Sequence, residues 1–264
     1  MSIAASAPRV LSFSVCGRYT HLYTWKQLHH LLSLVSPEVS LPLRYNVAPT
    51  QCAPVVVLDR DSQAMTLRFM RWGFVPSWSK SMPTGKPLIN ARADGIESKP
   101  SFRAAFRLRR CIVPVSGFYE WQQLDSGKSG QPHYVSPAGP SEVGRSDPWL
   151  LAGLWEAWQD PSLPKDAPPL ESFVIITTEP NETMARIHHR MPVILDPAGA
   201  LRWLGSPSRV ESGIDALALL RPCPALWLSM RPVSSLVNSP RDDSPQCIQE
   251  SGRHDFGSIF DQQG

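Results

Sequence analysis

Four short stretches place a residue of catalytic type among small, aromatic or apolar neighbours. They are Cys16 in Cys16-Gly17-Arg18-Tyr19, Asn90 in Asn90-Ala91-Arg92, Glu120 in Gly117-Phe118-Tyr119-Glu120-Trp121, and His188 in His188-His189-Arg190-Met191-Pro192. A thiol, an amide, a carboxylate and an imidazole brought to one place can run nucleophilic chemistry with proton transfer. What that chemistry is depends on Cys16. As an internal residue it offers only sulfur; as the first residue of a mature chain it offers sulfur and a free amine.

A free amine beside a thiol condenses with an aldehyde to an imine, and the sulfur then closes a five-membered thiazolidine ring. The amine suits this work. An α-amino group titrates near ~7.7 to 8.0 and a lysine near ~10.4, so roughly a tenth of the former is neutral at pH 7, against well under about 0.1% of the latter. A terminal cysteine is thus an aldehyde trap that needs no buried lysine.

Each candidate also has an ordinary reading. Free cysteines are commonly small buried hydrophobes. A glutamate in a half-buried strand commonly faces solvent; in a low-dielectric pocket Glu120 would instead have a raised pKa and serve as proton donor and acceptor. His188, with an ordinary pKa near ~6.5, suits a proton shuttle, or else bonds to backbone as a structural histidine. Asn90 can hold a substrate with its amide or simply sit in a turn. Arg18, Arg92 and Arg190 each lie two residues from a candidate, which on extended backbone is the same face. That recurrence suggests a guanidinium rim for phosphates, with surface salt bridging as the alternative. Trp72 and Trp78 bracket Gly73, Pro76 and Ser77, a loop able to present an indole to unpaired bases, Trp78 foremost. Arg103, Arg107, Arg109 and Arg110 read as a solvated charged face.

The elements that must carry these residues are mostly strands. Runs rich in β-branched and aromatic residues predict strands over Val55 to Leu58, Met65 to Trp72, Cys111 to Trp121, Leu150 to Trp158, Phe173 to Thr177, Pro192 to Leu195 and Ala225 to Met230. Helical spacing after Thr24 predicts a helix from Trp25 to Val35. Asp196-Pro197 opens a second through Leu204, and Ile214 to Leu220 gives a third. Ser126 to Pro148 reads as a long loop, and the polar chain from Ser239 onward as a loose tail. The expected class is α+β: one domain dominated by antiparallel sheet, barrel-like, with a few flanking helices.

At 264 residues with 42% hydrophobic content the chain can fill one large core. A net charge of +3 permits an anionic partner without demanding one. Five cysteines, with no CxxC pair and an odd count, argue against a zinc site and a secreted disulfide framework, so no metal or other cofactor is expected and a reducing cytoplasm is the simplest setting. No stretch reaches membrane-spanning length, and the residues before Cys16 lack a secretory apolar run.

The four stretches, taken in order with Arg44-Tyr45-Asn46-Val47-Ala48-Pro49-Thr50, Arg71 to Trp78 and Pro232 to Asn238, resemble the SRAP family (SOS-response-associated peptidase domain) over nearly the whole chain. The resemblance implies a protein that recognises abasic sites in single-stranded DNA and links to them through an N-terminal cysteine, shielding the lesion. It implies Cys16 as nucleophile, Glu120 as general acid/base, His188 rather than His189 as the shuttle, and Asn90 as a holding residue. Residues 16–247 would form the domain, 248–264 a polar tail, and the protein would act as a monomer, with no membrane partner.

The family pattern has its cysteine directly after the initiator methionine, whereas Met1 to Val15 stand ahead of Cys16 here. Two routes would expose Cys16: initiation at Val15 from a GTG codon, followed by methionine removal, or cleavage of the Val15-Cys16 bond by the protein itself. Two other functions fit the residues: an N-terminal-nucleophile cysteine hydrolase using Cys16, His188 and Asn90, and a non-covalent reader of modified DNA.

Overall fold

The computed structural model describes residues 16–59, 61–123, 129–139, 147–205 and 213–251; the expected leader before Cys16 and the end of the tail lie outside them. Five strands close on themselves. They are β3 (Cys52–Asp59), β4 (Ala64–Trp72), β6 (Arg110–Val115), β9 (Trp149–Trp158) and β10 (Leu170–Thr178). β4, β3, β6, β9 and β10 pair antiparallel in that order, and a parallel pairing of β10 with β4 completes the ring. A second, wholly antiparallel sheet runs β13 (Leu228–Pro232), β8 (Ser129–Pro137), β7 (Gly117–Gln123), β1 (Arg18–His21) and β2 (Arg44–Val47). The barrel-like antiparallel character expected from the sequence is what the chain adopts.

β3, β6, β9 and β10 bury apolar residues on both faces, which is why they read as nearly continuous hydrophobic runs, whereas β4 interleaves Thr66, Arg68 and Arg71 with its apolar residues. Val55, Val57, Cys111, Val113, Phe173 and Ile175 join one buried cluster with Cys16, Tyr19 and Phe118 of the second sheet. The alternate residues Val56, Ile112, Leu154, Val174 and Ile176 join another, beneath the helices α1 (Trp25–Leu32), α2 (Arg103–Leu108) and α3 (Pro197–Leu204). Thr24 and Gln27 form a reciprocal capping box on α1, and Leu28 and Leu32 are its buried stripe. Asp196 caps α3 ahead of Pro197. The third expected helix is α4 (Gly213–Ala218).

Several expectations are corrected. β8 lies inside the segment expected to be a loop, because Tyr134 and Val135 find Tyr119 and Phe118 across the sheet despite flanking Gly and Pro. Ser116 breaks the Cys111 to Trp121 run between two sheets. Val193 divides Pro192 to Leu195 into β11 (Met191–Pro192), which pairs with β10, and β12 (Ile194–Leu195), which pairs with β9. Ala225 to Met230 begins as a 3-10 turn, Ala225–Trp227, before β13.

The chain beyond Ser239 is clasped as far as it is described. Asp243 accepts from the Tyr45 and Asn46 amides and pairs with Arg44, while the Asn46 side-chain amide donates to the Ser239 and Asp242 carbonyls. Cys247 is buried there. Among the charged face, Arg109 pairs with the buried Glu156 and Arg110 lies over the Trp203 ring.

Candidate active site

Cys16 lies two residues ahead of the start of β1 and is wholly buried, with a left-handed backbone (φ 48°). β1 pairs with β7, Arg18 opposite Tyr119, and that register brings Glu120 to the cysteine. The Cys16 N–H donates to Glu120 Oε2 at 2.9 Å across 104 residues of sequence. Gly117 permits the approach of β7 to β8: a Cβ there would stand 2.5 Å from the Tyr134 ring and hydroxyl. Thr20 and Tyr134 then share a 2.7 Å hydroxyl contact behind the site.

Burial sets the titration of this pair. Glu120 is 2% exposed, and desolvation raises its pKa to about 8, opposed by hydrogen bonds from the Cys16 and Trp121 amides. The carboxyl therefore carries a proton through much of the neutral range yet can release it. Burial, and then the Glu120 charge, push the Cys16 thiol well above its ordinary value, so the sulfur enters any reaction as a thiol.

The other two candidates hang from the end of β10. β5 (Asn90–Arg92) runs parallel to it with Asn90 opposite Ile175, and β11 pairs with it at Thr177 and Thr178. Asn90 is half-buried. His188 is buried, and its Nδ1 accepts the Arg190 amide at 3.1 Å, which places the neutral ring's proton on Nε2. That Nε2 is buried without a hydrogen-bond partner. Desolvation, reinforced by His189, lowers the His188 pKa to about 4, so the ring is neutral near pH 7 rather than poised at the ordinary ~6.5. His189 stacks on it at 4.5 Å and is itself exposed. Ile89, beside Asn90, and Ile187, beside His188, share the apolar cluster of Cys16.

The expected phosphate and base contacts fare differently. Arg18 commits its guanidinium to Asn46 Oδ1 and the Val237 and Asn238 carbonyls. Arg190 donates to the Thr177 carbonyl and pairs with Asp94. Arg92 is exposed. Trp72 is fully buried, stacked near Phe173 and Tyr19 and bonded through Nε1 to the Ile89 carbonyl, so its ring has no face for a base and the expectation of a DNA contact there is corrected. Trp78 is 64% exposed.

Two participants escaped the sequence reading. The Tyr19 hydroxyl is buried without a partner, and burial together with Cys16 pushes its pKa far up, so it stays protonated. Its place inside the Cys16-Gly17-Arg18-Tyr19 stretch was the only signal. Asp94, the partner of Arg190, stands four residues after Asn90 and carried none. No cluster of three or more His, Cys, Asp or Glu able to hold a metal occurs among the described residues, and no helix there is long and apolar enough to cross a membrane.

The family model described as SOS response associated peptidase (SRAP) matches residues 15–240. The chain is 36% identical over 237 residues to the abasic site processing protein YoqW of Bacillus subtilis, covering 89% of this chain and 99% of that one. It is also 36% identical over 231 residues to the abasic site processing protein HMCES of Gallus gallus, covering 77% of this chain and 65% of that one. Among solved structures, a Bacteroides thetaiotaomicron protein superposes with a TM-score of 0.70 at 24% identity, covering 89% of this chain and 100% of that one. A phage-related protein of Bordetella bronchiseptica gives 0.62 at 28% identity, covering 83% and 94%.

Proposed function

The chain belongs to the SRAP family, and from that premise we propose that it processes abasic sites in single-stranded DNA by bonding covalently to the lesion through Cys16. The observation that carries the reading is the buried hydrogen bond that joins the Cys16 nitrogen to the Glu120 carboxyl. The relatives named for abasic site processing support the substrate class.

The reaction needs the Cys16 nitrogen as an amine. With residue 15 attached it is an amide, whose lone pair is delocalised into the carbonyl. The family match begins at residue 15, immediately ahead of the cysteine, which supports a mature chain starting at Cys16. The left-handed φ adds support: it costs an ordinary residue about 1–2 kcal/mol and ceases to exist once the preceding peptide is gone.

The amine adds to the open-chain aldehyde of the abasic sugar, forming a C–N bond and a carbinolamine. Glu120 in its acid form protonates the leaving hydroxyl, which departs as water, and the resulting carboxylate takes up the nitrogen's proton, leaving the imine and the acid restored. The Cys16 sulfur then bonds to the imine carbon while the thiol proton passes to nitrogen, with Glu120 as relay, closing the thiazolidine. One aldehyde and one aminothiol give one ring and one water. Neutral His188 hydrogen-bonds through Nε2–H to the sugar ring oxygen as the hemiacetal opens: the bond from C1 to that oxygen breaks, the carbonyl forms, and the proton of the anomeric hydroxyl passes through water to the departing oxygen, because a ring with a pKa of about 4 is a hydrogen-bond donor at neutral pH rather than a strong acid. Asn90 holds the sugar. Exposed Arg92 and Trp78 supply phosphate and stacking contacts, and Arg190 a second phosphate contact.

The test is intact mass before and after incubation with an abasic single strand. The expected result is a chain beginning at Cys16 that gains the mass of the oligonucleotide and survives denaturation. A chain from the native host that keeps residue 15, or no gain in mass, rejects the reading. Peptide turnover without DNA would favour a hydrolase instead.

A further inference from the structure

Arg190 is held in an unusual way for a residue expected to grip phosphate. Its Nη2 donates to the Thr177 carbonyl at 2.9 Å, which fixes the guanidinium from behind. Its Nη1 meets Asp94 Oδ2 at 3.2 Å. The arginine side chain is only 12% exposed, whereas that of Asp94 is 70% exposed. The carboxylate therefore covers the solvent-side nitrogen of an otherwise buried cation.

The loop that carries Asp94 is anchored independently of this pair. The Ala93 amide donates to the same Thr177 carbonyl at 2.8 Å, and Lys99 Nζ donates to the backbone carbonyls of Arg92 and Asp94. Thus the Asp94 side chain can turn into solvent without moving the backbone of the site. A carboxylate and a phosphodiester offer a guanidinium the same pair of anionic oxygens. One can replace the other.

We infer that Asp94 is a specificity-determining residue whose carboxylate occupies the phosphate seat on Arg190, so that every strand must displace it. The inference rests on the proposed capture of abasic strands. An intact strand is held only by reversible contacts, and the competition subtracts directly from its affinity. An abasic strand that bonds to Cys16 is retained by a covalent link, and the same competition leaves its final yield unchanged. Asp94 thereby widens the margin between damaged and intact DNA.

The experiment measures affinity for an intact labelled single strand by fluorescence anisotropy, using the mature protein. Asp94→Asn is expected to tighten binding about two- to fivefold, the range that an exposed ion pair supports. Exposed Glu97, three residues on, provides a control with the same change of charge, and Glu97→Gln is expected to have a smaller effect. In an Arg190→Gln background the gain from Asp94→Asn should vanish, and mixed abasic and intact strands should be discriminated less well by Asp94→Asn than by the wild type. Asp94→Ser repeats the measurement without an amide that could mimic the carboxylate. Unchanged affinity in both Asp94 variants, a gain matched by Glu97→Gln, or a gain that survives Arg190→Gln overturns the inference. Failure of the wild type to form a denaturation-resistant adduct overturns the proposed function instead, so the two are separable.

Discussion

The two sides of the site are finished to different degrees. On the Cys16 side a backbone amide and a carboxylate oxygen are joined, buried and clamped between β1 and β7. On the side at the end of β10, the His188 ring nitrogen points its proton at no protein acceptor, and Arg190 pairs through Nη1 with an exposed carboxylate while its buried Nε has no partner. The first arrangement is set before any ligand arrives. The second leaves polar groups whose partners a ligand can supply, because a buried unpaired donor costs about 1–3 kcal/mol until something accepts from it.

The sharpest way to break this contrast is at the cysteine. Cys16→Ala should abolish the heat-stable adduct with an abasic strand, and Cys16→Ser should leave only an imine that requires borohydride to be seen on a denaturing gel; an equally stable serine adduct would contradict ring closure. Glu120→Gln comes next. Losing a positioned acid/base typically costs on the order of 10²-fold or more, and stopped-time adduct assays should show that loss together with a flattened dependence on pH around 8. His188→Gln retains a side-chain amide donor and should slow capture less than Glu120→Gln does; a larger loss would mean that the β10 side, not the Cys16 side, limits the reaction.

Two tryptophans sharpen the comparison between scaffold and surface. Trp72→Ala, inside the barrel cluster, should cost about 3–5 kcal/mol of stability by denaturant titration. Trp78→Ala should leave the melting transition in place and weaken single-strand binding by about 1–3 kcal/mol, seen in anisotropy.

The smallest expected effect is on stability against pH, and the two sides should act in opposite directions. Glu120 has a folded pKa of about 8, above its unfolded value, so folding holds an extra proton; its contribution is complete at acid pH and is lost as pH rises toward 8. His188 has a folded pKa of about 4, below its unfolded value, so its contribution is present above ~6.5 and is lost as pH falls toward 4. His21, also lowered to about 4 by burial, shares that acid limb. Thermal melts of Glu120→Gln should therefore lose the decline in stability between about pH 4.3 and 8, and those of His188→Gln only part of the loss toward acid.

Local signals carried much of the fold. The apolar runs of β3, β4, β9 and β10 and the capped starts of α1 and α3 were readable because periodicity and capping are properties of neighbours in sequence. β8 and the clasp around Asp243 were not, since Tyr134 depends on Tyr119 across the sheet and the polar tail is held by Arg44 and Asn46 almost two hundred residues earlier. The same division separates Trp72 from Trp78: six residues apart and alike in sequence context, they differ in whether Phe173 and Tyr19 close over the ring.

By itself, the order of residues determined which groups are the candidates, namely a thiol at Cys16 with a carboxyl, an imidazole and an amide in the other three stretches. Only the tertiary structure decided how the groups around them are tuned: Glu120 raised toward neutrality, His188 held neutral, Arg18 bonded to the Val237 and Asn238 carbonyls and Arg190 covered by Asp94. The reason is physical. Covalent reactivity belongs to a residue, whereas pKa and exposure belong to its surroundings, and those surroundings come from segments far away in the chain.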